Sequence, residues 1–168
     1  MGGDKALVRL AGRPLISYPL QAASAAGLHA LVVAKRSTRL PPLDAPVLLE
    51  PEEPTHPLLG VITALEQRPA VIALPCDMPF VSPADLAALA AMPQELATLC
   101  RDQPFPCLYR RAVLPQLRDA LHENRSMRST HAHAPRVHEG TSSADSQAPR
   151  SINTPQDLAA AEEWLSRR

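Results

Sequence analysis

At 168 residues the chain is the size of one domain, long enough to close a genuine core. Lys and Arg number 17, as do Asp and Glu, and the mean hydropathy is −0.11, so no overall field draws it to nucleic acid or an anionic membrane. No apolar run approaches the ~18 residues of a membrane span, the opening residues are charged and polar, and the three cysteines Cys76, Cys100 and Cys107 show neither zinc spacing nor an even disulfide count, so a cytoplasmic protein with reduced thiols is expected.

In chain order, residues 14–26 read as a helix whose C-terminus Gly27 can cap. "ALVVA" (30–34) is a continuous apolar run, the pattern of a parallel strand buried on both faces, and "APVLLE" (45–50) reads as another. "HPLLGVITALEQ" (56–67) is a helix with proline in its first turn, and "AVIAL" (70–74) is a third buried strand. Ser82 and Pro83 open a helix through residue 92, with serine as N-cap. "ELATLC" and "PCLYRR" read as strands, and 112–123 as a helix. Residues 124–150 are polar and weakly periodic, and Thr154-Pro155 opens a last helix to residue 167. The chain has nineteen prolines, with clusters at 41–42, 46, 51–57 and 104–106; apolar runs lie between the clusters, so they mark loops. Alternating apolar runs and helices predict one α/β domain over 1–168 with a mainly parallel sheet. In such a sheet chemistry sits just beyond the strands' carboxyl ends.

"AVIALPCDMPFVSPADL" places Asp77 three residues past a predicted strand, between Pro75 and Pro79. A carboxylate held there suits Mg²⁺ beside a bound triphosphate, or else simply caps a turn. "MGGDK" offers two backbone N–H groups without side chains, Gly2 and Gly3, and a mobile cation, Lys5. Read alone it is more simply a turn with a surface lysine.

"MGGDKALVRLAGRPLI", "HPLLGVITAL", "LPCDMPFVSPADL" and "SINTPQDLAAAE" resemble, in order and spacing, the motifs of molybdenum cofactor guanylyltransferases, the molybdopterin-guanine dinucleotide biosynthesis protein A family. The resemblance implies a Rossmann-like, GT-A-type nucleotidyltransferase of three layers. In that family the terminal phosphate of molybdopterin, or Mo-molybdopterin, attacks the α-phosphate of Mg·GTP and pyrophosphate leaves. By motif match, Lys5 and Asp77 would be catalytic, with Asp77 holding Mg²⁺. Gly2, Gly3, Lys5, Glu50, Gly60 and Asp77 would bind the nucleotide. Glu50 stands where the family usually has an aspartate and could accept from guanine N1–H and N2–H₂. Gly60 would let its helix approach the nucleotide closely. Asn153, Arg125 and Arg128 would lie on the pterin side; helix-entry structure for Asn153 and a solvated loop for the arginines are the alternatives. Transient contacts with molybdenum-insertion proteins and apo-molybdoenzymes follow from the same resemblance, with no nucleic-acid or membrane partner.

The chain departs from the family pattern elsewhere as well. Members carry an apolar strand and a Leu-Ala-Gly-Gly-x-Ser-x-Arg loop before the Met-Gly at which this sequence starts. An upstream continuation of the reading frame is therefore expected, and poor stability and weak GTP binding without that strand. His56 replaces a glycine and would crowd a position near the nucleotide, and Ala34 replaces a polar residue. His131, His133 and His138 form a histidine-rich stretch with no matching Cys or acid cluster. A cytidylyl or sugar-nucleotide transferase of the same fold, or a non-catalytic homologue that binds nucleotide or pterin, are the competing readings.

Overall fold

The computed structural model describes residues 5–99, 104–137 and 151–167. A 3-10 turn, Lys5–Leu7, leads into a short hairpin of β1 (Arg9–Leu10) and β2 (Arg13–Pro14). Its two-residue turn holds Ala11 and Gly12 at φ 46° and 78°, the doubly left-handed geometry that matches strand twist. Leu15 N donates to Val8 O at 2.7 Å, so the chain stays extended past Pro14. The helix expected from residue 14 consequently starts later, as α1 (Ser17–Ala25). Gly27 N to Ser24 O and Leu28 N to Ala23 O, both 2.9 Å, close its C-terminus at the predicted glycine.

β3 (Val32–Ala34) and β4 (Val47–Leu49) pair in parallel, with Ala34 opposite Leu49. α2 (Pro57–Gln67) follows, then β5 (Ala70–Ala73), α3 (Pro83–Ala90), β6 (Leu96–Thr98) and β7 (Cys107–Arg110). Prolines at the first positions of α2 and α3 occupy the turn that needs no N–H partner, and Ser82 Oγ accepts from Ala84 N as expected of an N-cap. The second sheet has the order β5–β7–β6, with β7 antiparallel to both neighbours. Of the mainly parallel sheet expected, the described residues show the β3–β4 pair as parallel, while both pairings of β7 are antiparallel. Residues 99–106 are too few for a crossover, so β7 must turn back on β6, whereas the α3 connection lets β5 and β6 run the same way.

Register then sorts the core. Val71, Ala73, Leu96, Cys107 and Tyr109 point to one face, which α2 and α4 (Leu114–His122) cover with Leu58, Val61, Ile62, Leu65 and Leu117. Ile72, Ala97 and Leu108 point to the other, against Leu89 of α3. Helices on both faces of this sheet make three layers. β4 corrects the expectation of burial on both faces: Val47 and Leu49 are 46% and 48% exposed. Among the described residues β4 pairs only with β3, and its Val47/Leu49 face has no helix over it. The polar segment after α4 holds a short helix that periodicity did not reveal, α5 (Met127–Thr130). The last helix, α6 (Pro155–Ser166), docks on the hairpin through Leu10, Leu15, Ile152 and Ala161, with Phe80 and Trp164 rings 4.4 Å apart. No helix among the described residues is long and apolar enough to cross a membrane.

Candidate active site

Beyond β5 the chain turns at once: Met78 N donates to Pro75 O at 3.3 Å, and Asp77 sits inside that turn. The Asp77 carbonyl accepts from Ile152 N at 2.8 Å, which sews the segment leading into α6 onto the turn. Ile152 is fully buried, so its neighbour Asn153 is delivered beside Asp77. Lys5 arrives from the 3-10 turn. Its Nζ donates to Asp77 Oδ2 at 2.9 Å and to Asn153 Oδ1 at 2.5 Å. The side chains of this ion pair are 30% and 16% exposed, so it is screened less than an ordinary surface pair.

The Asn153 amide is oriented by two further groups. Its Nδ2 donates to Ser151 Oγ at 2.9 Å, which turns Oδ1 towards Lys5. Asp157 Oδ2 accepts from Asn153 N at 2.9 Å and Thr154 N at 2.8 Å, and Thr154 Oγ1 accepts from Asp157 N at 3.1 Å. This capping box holds the Asp157 carboxyl below its usual range, first through the Asn153 N–H, then through Thr154. Asn153 is therefore both at a helix entry and in the polar cluster. Sequence reading missed Asp157, although Thr-x-x-Asp ahead of an apolar helix was its signal.

Glu50 and Gly60 form a second group. Glu50 N donates to Ala34 O at 3.0 Å, continuing the β3–β4 ladder, and its side chain folds over α2. A Cβ built on Gly60 would lie 2.9 Å from Glu50 Oε2. The space that Gly60 leaves is filled by the chain's own carboxylate, where an approach of helix to nucleotide was expected. Burial raises the Glu50 pKa, Lys35 opposes the shift and Glu52 adds to it. Lys35 Nζ donates to Glu52 O and to Thr55 Oγ1, and Ser37 Oγ donates to Glu52 Oε2 at 2.8 Å, fastening the loop that leads into α2.

One apolar cluster links the two groups: Ala6, Ile16, Val32 and Ala34, with Cys76 packed against them. Ala6 follows Lys5, Cys76 precedes Asp77, and Ala34 carries the carbonyl that holds Glu50. Burial, reinforced by the Asp77 charge and opposed by Lys5, pushes the Cys76 thiol up, which suits packing rather than nucleophilic attack.

His56 does not crowd this region as expected. Its Nδ1 accepts from Leu58 N at 3.1 Å, capping α2, so Nε2 carries the proton and donates to Arg125 O at 3.1 Å. Arg125 lies just past α4, whose C-terminus closes through Asn124 at φ 52° and Arg125 N to Ala120 O at 2.8 Å. Its backbone is thus tied to the entry of α2, and its guanidinium pairs with Glu123 at 2.8 Å. Arg128 is exposed on α5. The contacts that build the Lys5–Asp77–Asn153 cluster involve neither arginine.

The histidine-rich stretch divides. His131 is 6% exposed and shares a 2.7 Å hydrogen bond with the Tyr109 hydroxyl, while His133 is exposed. Burial, opposed by the Pro104 backbone, pulls the His131 pKa down to about 4. Gly2, Gly3, Cys100 and His138 lie outside the described residues.

The described residues hold no cluster of three or more His, Cys, Asp or Glu side chains that could cage a metal. Asp77 nonetheless already accepts a cation, the Lys5 ammonium. One carboxylate beside a basic group fits Mg²⁺ of the type completed by substrate phosphates and water.

The family model described as "MobA-like NTP transferase domain" matches residues 1–137. A probable molybdenum cofactor guanylyltransferase from Geobacillus sp. (strain WCH70) is 32% identical over 113 residues, 61% of this chain; the chain spans 58% of that curated relative's length. Molybdopterin-guanine dinucleotide biosynthesis protein A from Archaeoglobus fulgidus superposes with a TM-score of 0.75 at 22% identity, covering 98% of this chain and 91% of the other. 2-C-methyl-D-erythritol 4-phosphate cytidylyltransferase from Thermus thermophilus does so with a TM-score of 0.70 at 22% identity, covering 99% and 95%. At these identities the structural likenesses show the α/β nucleotidyltransferase fold.

Proposed function

This chain belongs to the MobA-like NTP transferase domain family, and on that premise we propose that it transfers GMP from Mg·GTP to the terminal phosphate of molybdopterin or Mo-molybdopterin, releasing pyrophosphate. The observation that carries the reading is the meeting of Lys5, Asp77 and Asn153 from three distant parts of the chain. Nucleotidyl transfer needs alignment of two phosphates and neutralisation of charge that grows on the leaving pyrophosphate. Lys5 supplies a compact, mobile cation for those oxygens, and the Pro75–Met78 turn holds Asp77 rigidly at the strand end. A divalent metal on Asp77 would add the charge neutralisation that one lysine cannot supply. Glu50, on the far side of the Ala34–Cys76 cluster, is the acceptor for guanine N1–H and N2–H₂. Its partial burial strengthens hydrogen bonds made to it.

The test is pyrophosphate release from molybdopterin with Mg²⁺ and GTP, CTP or ATP in parallel. GTP alone should support turnover, and Asp77→Asn should lower it about a hundredfold or more. Turnover with CTP in place of GTP would move the chain to the cytidylyl class. No turnover with any nucleotide would refute the proposal.

A further inference from the structure

Of the 17 Lys and Arg side chains only two are lysines, Lys5 and Lys35. Arginine serves everywhere else, yet at Asp77 the chain places the smaller and more mobile cation. A guanidinium would fix a planar, bidentate grip, whereas an ammonium is a point charge that can leave. Lys5 also has two acceptors of different kinds. Asp77 Oδ2, at 2.9 Å, is a carboxylate that a divalent ion would also claim. Asn153 Oδ1, at 2.5 Å, is a neutral amide held in place by Ser151 and by the Asp157 capping box. One acceptor can be taken from Lys5 while the other stays.

We propose that Lys5 is the built-in cation of Asp77, exchanged for the divalent ion that accompanies the nucleotide, and that Asn153 is a positioning residue that retains the lysine through the exchange. Without ligand, the ion pair keeps the partly buried carboxylate neutralised and lowers its affinity for free metal. When a metal-bound phosphate chain enters, Lys5 gives up Asp77, pivots on Asn153 and turns its ammonium to the phosphate oxygens. The site therefore favours metal that arrives with phosphate over metal alone. No covalent bond changes; one cation replaces another on the same carboxylate.

The identity of the phosphates rests on the guanylyl-transfer reading; the exchange does not, and the test separates them. The whole chain labelled with lysine carrying ¹³C at Cε gives two Cε resonances, assigned with Lys35→Arg. Mg²⁺ without nucleotide should shift the Lys5 resonance, and Asp77→Asn should abolish that shift. Mn²⁺ binding without nucleotide, followed by electron paramagnetic resonance, should tighten about tenfold in Lys5→Met, roughly the free energy of a partly shielded pair. Asn153→Ala should tighten it less, because the ion pair survives. A Lys5 resonance unmoved by Mg²⁺, or Mn²⁺ affinity unchanged in Lys5→Met, overturns the exchange even if GTP binds. A Lys5 response to Mg²⁺ with no binding of GTP or CTP supports the exchange and overturns the substrate reading instead.

Discussion

Gly60→Ala separates the stability of α2 from the task assigned to Glu50. The new methyl would lie 2.9 Å from Glu50 Oε2 and 3.6 Å from Val33 Cγ1. The second contact is ordinary, while the first requires the carboxylate to move by about half an ångström to reach normal packing distance. Because the obstruction is the tip of a flexible side chain, the backbone need not shift. Replacing glycine by alanine inside a helix contributes about 0.8–1.0 kcal/mol. The variant should therefore match or exceed the parent in stability, by up to about 2–4 °C in Tm for a chain of this size. Binding should change in the opposite direction. A hydrogen bond to a charged acceptor is worth about 1.5–3 kcal/mol, so displacing Glu50 from one guanine N–H weakens GTP roughly 10- to 100-fold. Calorimetric titration with GTP and inosine triphosphate reads this directly. The parent should prefer GTP, whose N2 amino group inosine lacks, and Gly60→Ala should erase the preference. Retained discrimination at unchanged stability would show that Glu50 does not read the base.

His131 gives a pH dependence of definite sign. Its folded pKa of about 4 lies below the unfolded value of ~6.5, so the unfolded chain binds more protons at acid pH. Its contribution is complete above pH ~6.5 and is lost as pH falls towards 4, by about 3 kcal/mol in all. Urea unfolding across that window should be steeper in pH for the parent than for His131→Gln, and equal slopes would refute the assignment. Thr154→Ala removes the acceptor of Asp157 N and should cost about 1 kcal/mol in chemical denaturation, with Asn153 N still held by Asp157. His56→Gly should destabilise by about 0.5–2 kcal/mol, because the ring caps α2 and grips Arg125 O; a gain in stability would restore the view that His56 crowds the site.

What could be read in advance was what depends on neighbours along the chain. Apolar period, Pro57 and Pro83 at helix starts, and Gly27 at a helix end locate α1, α2, α3 and β3 with small boundary errors. Asp77 was legible because a strand end and two flanking prolines are local features. The hairpin was not, since Ala11 is an unusual residue for φ 46° and strands of two residues carry no period. Composition made the 124–150 stretch, described through residue 137, a solvated loop. That holds for His133 and fails for His131, whose partner Tyr109 is supplied by a strand 22 residues earlier.

Side-chain direction is the other part that sequence withholds. His56 and Gly60 were both read as statements about space near a ligand, one taking it and one leaving it. The ring instead bends back to cap its own helix, and the glycine's space goes to Glu50. The second outcome follows from the parallel register that sets Ala34 beside Leu49, because Glu50 N then donates to Ala34 O and its side chain emerges over α2. A shift of one residue in that pairing would turn Glu50 to the opposite face and leave Gly60 open. The specificity assigned to Glu50 is thus a consequence of strand register, which no motif of five or six residues contains. The Lys5–Asn153 contact, spanning 148 residues, depends on tertiary docking: Ile152 must reach the hairpin core and the Asp77 carbonyl before Asn153 can meet the lysine.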